Sequence, residues 1–324
     1  SQEEPVAYAV EPERVVVLGP EADDAPAEPP EPELPEAAEA PDDAAWEQPV
    51  ASQIVQPVSV EVVEMGDQLG ADQAIATFEQ LAADFPHVPD YRSDLAACCN
   101  VAAILRVRLG KSDEVEPFFR RQVSILEQLV AEYSKRIAFG RKLGTAYNNL
   151  GILLDQTRRR EESIVVQDKA LTLRRRLAEQ SPDSPDLRSE VAISCQALAY
   201  LLPEDQSDKA EELLREAIRL GETLVSASPE NPRYEHKLAQ CYRSLGERLT
   251  DNDPDHAELY LAKAASTFGR LGTSFPENAQ YHRFHAYSLD ALSRIQFARG
   301  QATDAEKSLR AESRIFEKLV TDFE

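Results

Sequence analysis

The stretch FGRKLGTAYNNLGILLDQT, Phe139–Thr157, decides the fold. Its apolar side chains Leu143, Tyr147, Leu150, Ile152 and Leu154 follow the three-to-four spacing of a helix with one broad buried face. Gly144 and Gly151 stand five and twelve positions after Phe139. The same frame recurs along the chain: Tyr91, Phe139, Leu187, Tyr234 and Tyr281 are separated by 48, 48, 47 and 47 residues. Five positions after each come Ala96, Gly144, Ala192, Ala239 and Ala286, and twelve after each come Ala103, Gly151, Ala199, Gly246 and Ser293. Every one is small. A period held to one residue over five copies is the signature of stacked helical repeats, in which each unit buries its apolar face only against its neighbours.

Two helices fit each unit. In the second, a first helix over about 138–157 is followed by the polar break Arg158-Arg159-Arg160 and a second helix from about 161 to 177. The breaks elsewhere are Gly110-Lys111-Ser112, Pro203-Glu204-Asp205, Asn252-Asp253-Pro254 and Gly300-Gln301-Ala302, where Gly and Pro stop one helix and admit the next. Between units the punctuation is Phe85-Pro86-His87-Val88-Pro89, Ser181-Pro182-Asp183-Ser184-Pro185, Ser228-Pro229-Glu230-Asn231-Pro232 and Phe275-Pro276. The junction Tyr133-Ser134-Lys135-Arg136 lacks proline and is expected to run as a more continuous helix. The expected organisation is a tail over 1–60 and an array over 61–324. The array holds a lone capping helix at 61–86 and repeats at about 87–134, 135–182, 183–229, 230–276 and 277–324.

These residues resemble the tetratricopeptide repeat, with its aromatic, Leu and Gly on the first helix and small–large–small on the second. Tyr242, Leu245, Gly246 and Leu249 with Ala257, Leu261 and Ala264 form the fullest copy. Tyr147, Leu150, Gly151 and Leu154 with Ser163 and Ala170 form another, and Leu198, Ala199 and Leu202 with Ala210, Leu214 and Ala217 a third. The period of 47–48 exceeds the family's usual length of about 34, so both helices are expected to be extended. In this it is similar to long-helix bacterial arrays appended to Ser/Thr kinases and regulatory modules. The resemblance implies an all-α, right-handed α-solenoid of about eleven helices.

The first 60 residues differ in kind. They hold 11 of the 21 prolines and 15 acidic residues against Arg14 alone, so −14 of the net −23 lies there. From Glu21 to Asp43 almost nothing apolar is available to bury, which predicts a disordered acidic tail. Two short apolar patches, Val15–Leu18 and Ile54–Val60, interrupt it. The sequence begins at Ser1 and its single methionine is Met65, so a longer parent chain is expected. No apolar run approaches the roughly 18 residues that cross a membrane. Cys98, Cys99, Cys195 and Cys241 follow no disulfide framework and favour a reducing, cytoplasmic setting.

Chemistry is sparse. Gly110-Lys111-Ser112 lacks the upstream glycine of a phosphate loop, since Leu105 holds that place. His282 and His285 share a helix face, with His236 one repeat earlier, but no Cys, Asp or Glu joins them at ligand spacing. Carboxylates are too many for any catalytic pair to stand out. Neither catalysis nor a cofactor is expected. Residues 101–180 carry 16 basic and 10 acidic side chains, densest at Arg158, Arg159 and Arg160 and at Arg174, Arg175 and Arg176. This basic patch suits an acidic protein segment, including the chain's own tail, better than RNA, which the acidic remainder would repel.

The resemblance also implies a concave groove lined by the first helices. The position after each aromatic is Asn100, Asn148, Gln196, Arg243 and Asp290, and four residues on stand Ile104, Ile152, Tyr200, Glu247 and Arg294. Amides clamp the backbone of an extended peptide, and Arg243 suits a carboxylate. The expectation is a non-catalytic scaffold that binds a protein or peptide. The alternatives are a docking region of a larger kinase or transcription regulator, and helical-repeat RNA binding.

Overall fold

The computed structural model describes residues 68–323. The acidic tail, its apolar patches and the first residues of the capping helix lie outside the described residues. Eleven α-helices follow one another, with no strand among the described residues. They are α1 Gln68–Asp84, α2 Pro89–Arg108, α3 Glu116–Glu132, α4 Ile137–Gln156, α5 Arg160–Gln180 and α6 Pro185–Leu201. Then come α7 Ser207–Ala227, α8 Pro232–Leu249, α9 Pro254–Ser274, α10 Ala279–Ala298 and α11 Ala302–Phe323. The even-numbered helices open the hairpins and the odd-numbered ones from α3 close them. The described residues fall into two compact units that divide between Gln122 and Val123.

Helix starts follow the punctuation. Pro89, Pro185, Pro232 and Pro254 each open a helix, where a missing N–H costs nothing. Ser184, Asn231, Asp253 and Asn278 cap the next turns, each accepting a backbone N–H at 3.0–3.3 Å. The junction at 133–136 departs from expectation, because the chain turns there instead of continuing as helix. Arg136 adopts extended backbone, its N–H donates to the Tyr133 carbonyl at 2.9 Å, and its guanidinium lies 4.7 Å from the Phe139 ring centroid. A hydrogen-bonded turn braced by a cation on an aromatic ring replaces proline as the helix stop.

In the first unit α1 buries Ala71, Ile75 and Phe78 against α2. Arg106 occupies the position that Leu154, Leu202 and Leu249 hold in later hairpins, and it is buried. Its charge is met by Asp72 at 3.0 Å and Glu114 at 3.4 Å, so the capping helix supplies the counter-ion that a leucine would not need.

In the second unit each helix from α4 to α11 packs on the next. Leu198, Leu245, Leu261 and Phe268 are fully buried along the stack. The periodic small residues mark the closest approaches. Ser163 Oγ donates to the Gly151 carbonyl at 2.7 Å, and a Cβ on Gly246 would stand 2.7 Å from Leu261 Cγ. A larger residue there overpacks the contact, at about 1–3 kcal/mol. On α11 the equivalents of buried Leu261, Phe268 and Gly272 are Leu309, Phe316 and Val320, all exposed.

Candidate functional site

The two series of expected groove residues divide by burial. Asn100 and Asn148 are each only 5% exposed, which corrects the reading of their position as solvent-facing. The long helices bring α5 tightly over α4 here, and Gln167 Nε2 donates to the Asn148 carbonyl at 3.2 Å and to its side-chain oxygen at 3.4 Å. A buried amide must find such a partner.

From α6 onward the same position is half-buried and reached by solvent. Gln196 Nε2 donates to Ser244 Oγ at 3.1 Å, tying α6 to α8 across one face. Arg243 pairs with Glu247 one turn on at 2.6 Å, and its guanidinium lies 5.7 Å from the Phe284 ring on α10. Asp290 and Arg294 pair likewise along α10. Tyr200 is 67% exposed, and Arg160 donates to its carbonyl at 2.9 Å and to that of Leu201 at 2.8 Å. Gln196, Tyr200, Arg243, Glu247, Asp290 and Arg294 thus form one accessible face across α6, α8 and α10.

The expected basic patch does not assemble. Arg174 is 4% exposed: its guanidinium donates to Ser194 Oγ at 2.7 Å, and burial lowers its pKa, with Glu190 opposing. Arg175 is paired with Glu216, Arg159 with Glu162 at 2.6 Å, and Arg160 is spent on the two α6 carbonyls. Arg158 stands at φ +61° in the turn after α4. The Arg158 backbone N–H donates to the Asp155 carbonyl at 2.9 Å, and of these six arginines the Arg158 and Arg176 side chains alone make no ion pair or hydrogen bond among the described residues. The physical reason is that arginine forks satisfy carbonyls and carboxylates of the following repeat before they meet solvent.

Sequence reading missed a second feature, a set of charge pairs that link consecutive closing helices. Tyr147 Oη donates to Glu127 Oε1 at 2.6 Å, and Lys169 lies 3.8 Å from that carboxylate. Burial first, then the Glu127 bond, pushes the Tyr147 phenol upward. Leu143, Val130 and Leu173 complete an open groove of about 570 Å³ there. Two repeats on, Tyr242 donates to Glu222 at 2.7 Å and Lys263 lies 5.0 Å from the Tyr242 ring. Between them Arg175 and Glu216 repeat the link with charges reversed, above Cys195. The signal was present as opposite charges 41 or 42 residues apart (Glu79 and Arg121, Glu127 and Lys169, Arg175 and Glu216, Glu222 and Lys263).

The remaining candidates are packing groups. His236 is buried among Phe268, Tyr281 and Phe284. His282 contacts the Pro276 carbonyl at 3.0 Å. Cys98 and Cys99 are buried, which pushes each thiol up to about 11; Cys195 and Cys241 are pushed to about 12. Among the described residues no cluster of three metal-ligating side chains occurs, and no helix is long and apolar enough to cross a membrane.

Comparison with known proteins agrees with this geometry. Residues 143–186 match the tetratricopeptide repeat family. No curated protein sequence matches the chain. Among solved structures, BtubC (BKLC) from P. vanneervenii is similar at 19% identity and a TM-score of 0.60, over 81% of this chain and 93% of that one. A thermophilic TPR protein from Thermus thermophilus matches at 20% identity and a TM-score of 0.41, over 71% of this chain and 97% of that one. With helices of 17 to 22 residues paired in hairpins, the chain has an all-α helical-repeat fold, and its residues 143–186 match the tetratricopeptide repeat family.

Proposed function

We propose that the chain is a non-catalytic scaffold that holds a segment of a partner protein on the face shared by α6, α8 and α10. One observation carries this reading: three adjacent helices place half-buried hydrogen-bonding side chains in one row, Gln196, Arg243 and Asp290, each still reached by solvent. The matching position on α4, Asn148, is consumed by packing. A tetratricopeptide-repeat fold generally serves protein interaction, and the accessible amides and guanidinium groups suit a polypeptide backbone. An acidic guest on 101–180 finds little support, because four of the six arginines assigned to that patch already have partners.

A photo-crosslinking residue placed in the full chain at Glu247, on the face, is compared with one at Arg219, exposed on α7. A protein adduct at 247 and none at 219 is expected. Equal adducts at both positions would defeat the assignment of the face.

A further inference from the structure

Resting on that reading, we propose the chemistry of the guest: an extended polypeptide segment of low net charge, with two apolar or aromatic side chains about six residues apart, seated against Tyr200 and Phe297.

Charge is the first argument. The face carries four ionised side chains, and they are paired within their own helices, Arg243 with Glu247 and Asp290 with Arg294. The two pairs have opposite polarity, so a positive and a negative group alternate both along and across the helices. The rows on α6, α8 and α10 thus sum to no net charge, and the one cation beside them, Arg160, is held by the Tyr200 and Leu201 carbonyls, so a strongly charged guest must break a pair to gain more than that single contact. An acidic guest also meets a repulsive background, since residues 181–324 hold 25 acidic against 17 basic side chains.

Exposed aromatic surface is the second. Tyr200 and Phe297 are 67% and 74% exposed, which exceeds every other exposed aromatic of the described residues. Both belong to this face. Tyr200 lies one turn beyond Gln196, and Phe297 lies one turn beyond Arg294, seven residues after Asp290. Tyr200 is also held in place. Arg160 from α5 fastens the two carbonyls at the end of α6, and its guanidinium lies 5.9 Å from the Tyr200 ring centroid. A braced ring open to solvent is the form that binding anchors take.

Spacing is the third. Tyr200 and Phe297 sit on helices two steps apart, α6 and α10, with α8 between. Neighbouring helices pack at roughly 8–10 Å, so the anchors are separated by about 16–20 Å. An extended chain advances about 3.3 Å per residue, which places the matching side chains about six residues apart. Between them Gln196 has its NH2 group committed to Ser244, leaving its carbonyl to accept a guest backbone N–H.

The probe is a phage-displayed library of random 12-residue peptides, selected on the full chain, with selected peptides measured by fluorescence anisotropy. Expected are peptides with two apolar residues five to seven positions apart, and a dissociation constant that changes less than threefold between 50 and 500 mM salt. Tyr200→Ala and Phe297→Ala each weaken binding by about tenfold while leaving the circular dichroism spectrum and melting temperature intact. Acidic or basic peptides with steep salt dependence overturn the proposed chemistry. Binding lost in Gln196→Ala and Arg243→Ala but unchanged in Tyr200→Ala and Phe297→Ala overturns the anchors and leaves the face standing. No enrichment, or peptides indifferent to all four variants, overturns both.

Discussion

Arg158 shows how a repeat changes the meaning of a residue. It stands at φ +61° in the same turn where other hairpins place Gly110 at +72° and Gly300 at +76°. Left-handed backbone costs a side-chain-bearing residue about 1–2 kcal/mol, part of which glycine returns through its freer unfolded chain. Arg158→Gly is therefore expected to stabilise the protein by about 1 kcal/mol in urea unfolding. A loss of stability would mean that the guanidinium makes a contact the turn depends on. His236 offers a pH test. Burial, and second the neighbouring Lys237, lowers its pKa from 6.5 to about 4. The unfolded chain then binds a proton that the folded chain refuses, so the stability from neutral His236 is complete above about pH 6.5. It is lost as pH falls toward 4, by up to roughly 3 kcal/mol. His285 is shifted the same way, by burial and then His282, so part of the acid loss remains without His236. His236→Phe should lose less stability between pH 7 and pH 4.5 than the parent, by about 1–2 kcal/mol. Parallel losses in the two proteins would show that His236 is not the acid-sensitive group.

Among elements, the charge links give each pair of facing odd-numbered helices a polarity. Glu79 and Glu127 face Arg121 and Lys169, whereas Arg175 faces Glu216, and Glu222 lies beside the Tyr242–Lys263 pair. Each pair is partly exposed and worth only about 0–1 kcal/mol. The reversal nonetheless makes the repeats non-interchangeable, because α3 placed before α6 would set Glu127 against Glu216. This yields a test with opposite signs. In the intact chain Glu216→Lys opposes Arg175 and should destabilise by about 1 kcal/mol. In a chain lacking residues 135–182, the same substitution faces Glu127 and should stabilise by a similar amount. Thermal melts of the four proteins check this, and a destabilising effect in both backgrounds would dismiss the keyed order.

At the scale of the whole molecule, the sequence by itself determined the helical hairpins and those helix ends that proline or glycine marks. Small residues at a constant interval, Gly151 and Gly246 foremost, recur where the facing helix leaves no room for a Cβ, which would stand 2.5 Å from Gln167 Nε2 and 2.7 Å from Leu261 Cγ respectively. Proline and glycine mark helix ends by local sterics, without help from distant residues. The turn at 133–136 was not legible, because its stop signal is Arg136 lying on Phe139, a contact rather than a composition. The accessible face was half legible for a similar reason. Asn148 and Gln196 look alike in sequence, and only the closeness of Gln167 buries the first while the second stays open. The basic patch misled because a count of charges cannot see Ser194, Glu190 and Glu216 arriving from the following hairpin. Periodicity is a local property and survives in one dimension. Which charges are cancelled, and which aromatic rings are left for a guest, depends on residues 20 to 50 positions away and was decided only by tertiary packing.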